Sequence, residues 1–274
     1  MNFTGENGIW QMGRAFGWYP DAHTLGTASW FCCALICAAV AYLLGSINCG
    51  VLLSKIYGKD VRKMGSGNAG TTNMVRNFGK KAGAMTFIGD FLKASAALFL
   101  CRIIFGVEGA FIGGIFCILG HAYPIYFGFR GGKGVVCVAA VGLFTSPLVL
   151  AIMLVIFAII LFGFKMVSFA SVMSMLIYPF MEYKVDGAGI WVIYTIISAA
   201  LVIFLHRKNV VRIFNHTESK INFKKKKSQQ TTKNEQASKP AIVKCHSCGA
   251  ENVVYGTIME CEYCGRKISK GNEK

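Results

Sequence analysis

PLVLAIMLVIFAIILFGF, residues Pro147–Phe164, followed at once by Lys165, contains no charged or hydrogen-bonding side chain. At ~1.5 Å per residue such a run reaches ~27 Å, close to the ~30 Å of hydrocarbon in a bilayer. It leaves no face for water, so the stretch reads as a transmembrane helix. Working outward, further apolar runs at Ala28–Leu44, Ala84–Phe105, Glu108–Tyr126, Gly134–Thr145, Val167–Met181 and Ile190–Leu205 read the same way. The predicted fold is an all-α membrane protein with seven transmembrane helices. Gly134–Thr145 is the short one, about a dozen residues, which also suits a re-entrant or core segment. Gly134–Phe164 can alternatively be read as one long helix, but Ser146-Pro147 argues for a break, since Pro suits a first turn and disrupts an interior.

Composition agrees. Of 274 residues 54% are hydrophobic and 15% charged, against roughly 25% charged in soluble domains. A formal charge of +16 would suggest nucleic acid if it were spread over a polar surface. Here the Lys and Arg sit between apolar blocks and in the tail, so no nucleic-acid partner is expected. With seven spans, Lys55, Lys59, Arg62, Lys63, Arg76, Lys80, Lys81, Arg130, Lys133, Lys165, Arg207, Lys208, Arg212 and Lys224–Lys227 share one side. The other side keeps Arg14, Arg102 and Lys184. Short loops rich in Lys and Arg stay cytoplasmic, which puts the N-terminus outside and the C-terminus in the cytosol. Trp10, Trp18 and Trp30 fit an outer interfacial belt.

The expected organisation is an extracytoplasmic segment (1–27), a transmembrane domain (28–223), a basic polar linker (224–240) and a C-terminal metal-binding domain (241–274). The first span follows Glu6, Arg14 and Asp21 with no evident cleavage site, so it reads as retained. The linker has almost no apolar residues to repay the entropy of ordering. Its Lys224–Lys227 run suits either contact with anionic membrane lipid or a solvated flank.

Chemistry concentrates at the basic side. Gly65-Ser66-Gly67-Asn68-Ala69-Gly70-Thr71-Thr72-Asn73 packs glycine, hydroxyl and amide between Arg62 and Arg76. Glycines let successive N–H groups converge on one anion, and Ser, Thr and Asn add neutral donors, so the run reads as a phosphate cradle. It is not a Walker A loop, because Thr71 stands where that motif has Lys. A second cluster, Gly120-His121-Ala122-Tyr123-Pro124 then Arg130-Gly131-Gly132-Lys133-Gly134, pairs backbone access with a compact cation. His121 reads as a packing residue or a substrate contact. Further along stand Lys165–Ser171, and then His206-Arg207-Lys208-Asn209 with Arg212, Thr217 and Glu218.

Gly45-Ser46, Gly65–Asn73, Gly79-Lys80-Lys81-Ala82-Gly83 and Asp90–Lys93 together resemble the first signature of the PlsY family, the bacterial membrane acyl-phosphate:glycerol-3-phosphate acyltransferases. Gly120-His121, Pro124 and Arg130–Gly134 resemble its second, and His206-Arg207-x-Asn209 through Thr217-Glu218 its last. The resemblance runs from about Ala28 to Ile221. It implies transfer of a fatty acyl group from acyl phosphate to glycerol 3-phosphate, the first acylation of phospholipid synthesis. The implied setting is the bacterial cytoplasmic membrane with the site on the cytosolic face, and no catalytic cofactor.

By position, the resemblance puts Ser46, Lys133, His206 and Asn209 in catalysis. It puts Arg62, Ser66, Gly67, Asn68, Thr71, Asn73, Gly131, Gly132, Gly134 and Ser168 at substrate. Arg130 replaces a more usual Lys, Asn48-Cys49 a more usual Pro-Phe, and His216 a more usual Gly. The last two leave local backbone geometry open. The inventory suits the reaction: both substrates are anions, and phosphate is already a good leaving group, so no strong base is needed. Positioning and oxyanion stabilisation can supply much of the rate. His206 and a substrate phosphate compete as proton acceptor. The rival class is a transporter of anionic phosphate esters, but no inverted repeat relates the halves.

Cys32, Cys33, Cys37, Cys49, Cys101, Cys117 and Cys137 fall in or beside apolar runs, where Cys is a small hydrophobe. Cys245, Cys248, Cys261 and Cys264 form two C-x-x-C-Gly knuckles, a zinc-ribbon pattern. Two disulfides would need an oxidising compartment, whereas the charge bias puts the tail in the cytosol. The expected metal is a structural zinc, with a protein partner for the ribbon left unidentified.

Overall fold

The computed structural model describes residues 27–221, 241–254 and 258–269. Expectations for the first 26 residues, including Trp10 and Trp18, and for the linker at 224–240 lie outside the described residues. The chain divides into two compact units, Met1–Ile221 and Asn222–Lys274.

Among the described residues the first unit contains helices and loops and no strand. Its elements are α1 (Thr27–Ser46), α2 (Cys49–Ile56), α3 (Thr71–Ala122), α4 (Val135–Thr145), α5 (Pro147–Phe164), α6 (Val167–Asp186), α7 (Ile190–Leu205) and α8 (Arg207–Phe214). Among the described residues three helical stretches, Thr27–Ile56, Thr71–Phe127 and Pro147–Phe164, are long and apolar enough to cross a membrane. A fourth is added if α7 and α8, bent by 61°, count as one. Side chains such as Leu148, Ile159 and Phe162 on α5 are more than 60% exposed, which suits a lipid-facing surface and not water.

α3 is not one rod. Its 52 residues break at Gly79 (φ 89°, ψ 174°) and again at Phe105–Gly106, where Gly106 has φ 62°. A β-carbon is strained in that left-handed region, so glycine is what allows the sharp reversal. Beyond it Gly109 lies on Cys101, and Gly113 on Cys101 and Ala97, as in an antiparallel hairpin. The sequence expected two separate spans, Ala84–Phe105 and Glu108–Tyr126. The reversal falls between them as expected, but the second limb stops at Ala122. Tyr123 precedes Pro124, whose ring disfavours helical geometry in the residue before it.

α1 packs along α3 more extensively than any other pair of elements. Gly45 rests on the Cys117 backbone and Gly120 on that of Tyr42 and Ser46, the close approach that small residues allow where lipid offers no hydrophobic drive. The core they share includes Cys37, Cys101, Cys117 and Cys137, bearing out their reading as small hydrophobes. α5 and α7 match their expected bounds, while α6 runs past Met181 to Asp186, where Gly187 takes φ 80°. Two short helices, α2 and α8, were not expected. Asn48 starts α2 by accepting a hydrogen bond from the Val51 N–H at 3.1 Å. This is ordinary N-capping and resolves the geometry left open by Asn48-Cys49.

Among its described residues the second unit holds two antiparallel hairpins, β1 (Ala241–Lys244) with β2 (Glu251–Val254) and β3 (Ile258–Glu260) with β4 (Lys267–Ser269).

Candidate functional site

Asn209, in the first turn of α8 and 3% exposed, joins three loops. Its Oδ1 accepts a hydrogen bond from Lys133 Nζ. Its Nδ2 donates to Ser168 Oγ at 2.7 Å and to Glu218 Oε1 at 2.8 Å. Glu218 in turn accepts from Arg212 Nε at 2.7 Å. Arg76 donates to the Ser219 carbonyl at 3.2 Å, and the Ile221 N–H to the Lys165 carbonyl at 2.7 Å. Residues far apart in sequence thus meet at the N-terminal ends of α4, α6 and α8.

None of these three ends has a side-chain cap: Gly134, Met166 and His206 make no capping bond. A helix N-terminus carries about half a positive charge on free N–H groups, so three such ends beside Lys133 have the electrostatics to receive an anion. Burial pushes the Lys133 ammonium down to about 8, with the Arg212 and Arg76 charges acting the same way against Glu218. An incoming phosphate would relieve that penalty. Glu218 itself is held low: burial opposes the charge, but hydrogen bonds from Ser168, Arg212 and Asn209 outweigh it.

His206, 3% exposed, closes the cluster between α7 and α8. Its Nδ1 lies 2.8 Å from the Val202 carbonyl. A carbonyl only accepts, so Nδ1 carries the proton and the Nε2 lone pair is free. Burial and the Lys133 charge hold the imidazole down to about 4, so it is neutral at physiological pH.

The glycine-rich loop lies against this group, with the Ala69 N–H donating to the Gly131 carbonyl at 3.4 Å. Asn73 organises the loop. Its Nδ2 lies 2.9 to 3.1 Å from the carbonyls of Val61, Met64 and Asn68, and its Oδ1 accepts from the Ser66 N–H at 3.1 Å. Thr71 Oγ1, at the start of α3, is buried without a partner. Gly65 and Gly67 have φ 55° and 71°. Non-glycine residues with positive φ, namely Phe129, Lys165 and His216, all lie in loops of this same end; such strain persists where surrounding structure enforces it.

Three further side chains assigned to chemistry or substrate, outside the Lys133–Asn209 cluster, are bonded to loop and backbone groups. Asn73 holds the loop together, as above. Ser46 Oγ donates to the Tyr42 carbonyl at 2.8 Å and accepts from the Ile125 N–H at 3.4 Å. Arg62 grips Asp60 through Nε and NH2 and the Phe127 carbonyl through NH1 at 2.5 Å. The Arg62 pairing holds the Asp60 carboxyl down to about 2. Sequence reading missed Asp60, whose only signal is its place two before Arg62. It also left Arg76, Arg212 and Glu218 out of the site.

Comparison with known proteins follows the same geometry. The family model for glycerol-3-phosphate acyltransferase matches residues 35–216. The chain belongs to the glycerol-3-phosphate acyltransferase family. A glycerol-3-phosphate acyltransferase 2 of Bacillus cereus is 44% identical over 68% of this chain and 94% of that protein. The Geotalea daltonii glycerol-3-phosphate acyltransferase is 39% identical over 65% and 93%. Among solved structures, PlsY, an integral membrane glycerol 3-phosphate acyltransferase, matches in its glycerol 3-phosphate form. The TM-score is 0.66 at 34% identity, covering 69% of this chain and 96% of that one. As a member of this family the chain is an acyltransferase, a membrane protein that acylates glycerol 3-phosphate in phospholipid synthesis.

The acyltransferase match ends at residue 216, before the four tail cysteines. Among the described residues Cys245, Cys248, Cys261 and Cys264 form a group that can hold a metal ion, their sulfurs within 4.8 Å of one another. The Cys245–Cys264 and Cys248–Cys261 sulfurs are each 3.6 Å apart. A tetrahedral site with Zn–S of ~2.3 Å has sulfur edges of ~3.8 Å, so the residues fit. Each knuckle repeats one device: Gly249 and Gly265 donate to the carbonyls of Cys245 and Cys261 at 2.8 and 2.9 Å. Asn252 bridges the halves, donating to Cys261 Sγ at 3.4 Å and accepting from the Glu262 N–H at 3.0 Å.

Proposed function

We propose that the acyl donor is acyl phosphate and that the products are lysophosphatidic acid (1-acylglycerol 3-phosphate) and phosphate. The carrying observation is the Lys133–Asn209–Ser168 cluster at three uncapped helix ends, with an apolar cavity between α4, α5 and α6 close by in sequence. That cavity, about 60 Å³, is lined by residues including Val135, Val138, Met153, Ser171, Met175 and Tyr178. Val135 stands two residues beyond Lys133 and Ser171 one turn beyond Ser168, so the apolar lining begins within about a helical turn of two residues of the polar cluster.

In the reaction a glycerol 3-phosphate hydroxyl oxygen bonds to the acyl carbonyl carbon. The carbon–oxygen bond to phosphate breaks, and phosphate leaves with the electron pair. The hydroxyl proton goes to His206 Nε2 or to a substrate phosphate oxygen. Lys133 and the helix ends hold the phosphate and steady the carbonyl oxygen as it becomes negative. Ser66, Gly67, Asn68, Thr71, Gly131, Gly132 and Gly134 form the phosphate-facing backbone, while Ser46, Arg62 and Asn73 hold its shape.

In this reading α1, the two limbs of α3, α4, α5, α6 and α7 each cross, and the meeting of the site loops supports it, because seven alternating crossings bring all of them to one side. The basic loops make that side cytosolic, in a bacterial cytoplasmic membrane, with the N-terminus outside. The tail is a structural zinc ribbon joined by a polar linker, and zinc supplies most of the folding energy of a segment too small for a core. Donor choice is tested by incubating purified protein and labelled glycerol 3-phosphate with acyl phosphate or with acyl-CoA. Lysophosphatidic acid is expected from acyl phosphate alone, and equal turnover of acyl-CoA sinks the proposal.

A further inference from the structure

A second group of ionisable side chains lies inside the bundle and takes no part in the steps above. Asp90, Lys93 and His121 are 1%, 8% and 4% exposed. Lys93 Nζ lies 2.6 Å from the Ile47 carbonyl, 2.8 Å from Asp90 Oδ1 and 3.0 Å from His121 Nδ1. An ammonium has three donors and no acceptor, so these partners use all of them. Asp90 Oδ1 also lies 3.6 Å from His121 Nδ1, so the Nδ1 side of the ring faces both members of the ion pair.

The Nε2 edge of His121 lies directly under Gly132. A β-carbon added to Gly132 would overlap Nε2 and stand 2.7 Å from Cε1 and 2.8 Å from Cδ2. The backbones are tied as well: Gly132 N–H donates to the His121 carbonyl at 2.9 Å and Gly131 N–H to that of Ala122 at 3.1 Å. The next residue is Lys133, whose ammonium meets Asn209. Three ionisable groups are expensive inside a membrane bundle, so their presence there points to a function.

We propose that His121 is a positioning residue for acyl transfer: clamped by Lys93, its ring edge is the seat for Gly132 and sets where Lys133 presents its ammonium. This rests on Lys133 as the phosphate-binding cation. Lys93 also holds the Ile47 carbonyl, so the same clamp fixes the end of α1 beside Ser46. No contact between His121 and substrate is required.

The test is a double-mutant cycle on the KM for glycerol 3-phosphate. His121→Ala and Gly132→Ala are each expected to raise KM by about tenfold or more, with kcat within about threefold. Without the ring, a methyl at 132 has room, so adding Gly132→Ala to His121→Ala should cost less than about threefold. His121→Asn keeps an acceptor for Lys93, so it should unfold near the wild-type temperature and still show the raised KM. Independent, multiplicative penalties would overturn the proposal, as would a wild-type KM in His121→Ala or His121→Asn. Wild-type kinetics in Lys133→Ala would instead remove the reading of Lys133, leaving the coupling between positions 121 and 132 measurable by itself.

Discussion

Lys133 carries a pH signature that separates charge from stability. Its ammonium is held at about 8 against an ordinary 10.5, chiefly by burial. The charge that binds phosphate is therefore present below about 8 and lost as pH rises through it. The folded state binds fewer protons than the unfolded state between those values, so this group makes stability rise with pH across the same window. We expect kcat/KM for glycerol 3-phosphate to fall above about pH 8 while the unfolding temperature does not, and Lys133→Arg to move the limb upward. A pH-independent kcat/KM from about 7 to about 9.5 would contradict it. Lys133, Ser168 and Asn209 were legible in the sequence because their motifs are compact and basic. The inward use of Asn73, Ser46 and Arg62 was not, since a hydroxyl or amide serves the loop and a ligand equally well and only the packed turn decides.

Among the elements, α5 and α7 were legible to the residue because runs without charged residues, bounded by Pro147, Lys165, Gly189 and His206, mark their ends. α2 and α8 were hidden. Eight residues each are too few for periodicity to show, and α8 has basic residues that read as a loop. The breaks in α3 mattered more: the reversal at Gly106 was anticipated from composition, that at Gly79 was not. These breaks carry the topology. In a background lacking the native cysteines, a label at Lys80 should react only from the cytosolic side and one at Ala188 only from outside. Labelling of both from one side would mean that the short α4 has been miscounted as a crossing.

At the scale of the whole molecule, the acyltransferase and the ribbon should separate. The family match stops at residue 216 and the cysteine group begins at 245. Full-length protein is expected to hold one zinc per chain, to lose ribbon structure on chelation, and to keep its activity. Truncation after Phe223 should leave acyl transfer intact in detergent; loss of activity with a folded membrane domain would make the ribbon part of the site or its regulator. The ribbon was legible because two C-x-x-C-Gly knuckles are specific, whereas Asn252, which ties them, has no signature of its own. The most direct test of the central claim measures phosphate release against lysophosphatidic acid formation from acyl phosphate and glycerol 3-phosphate. One phosphate should appear per lysophosphatidic acid, and Lys133→Ala should lower both together by more than about tenfold, since a lost charge-assisted bond costs ~1.5 to 3 kcal/mol. Lysophosphatidic acid formed without matching phosphate, or undiminished in that variant, would contradict the account.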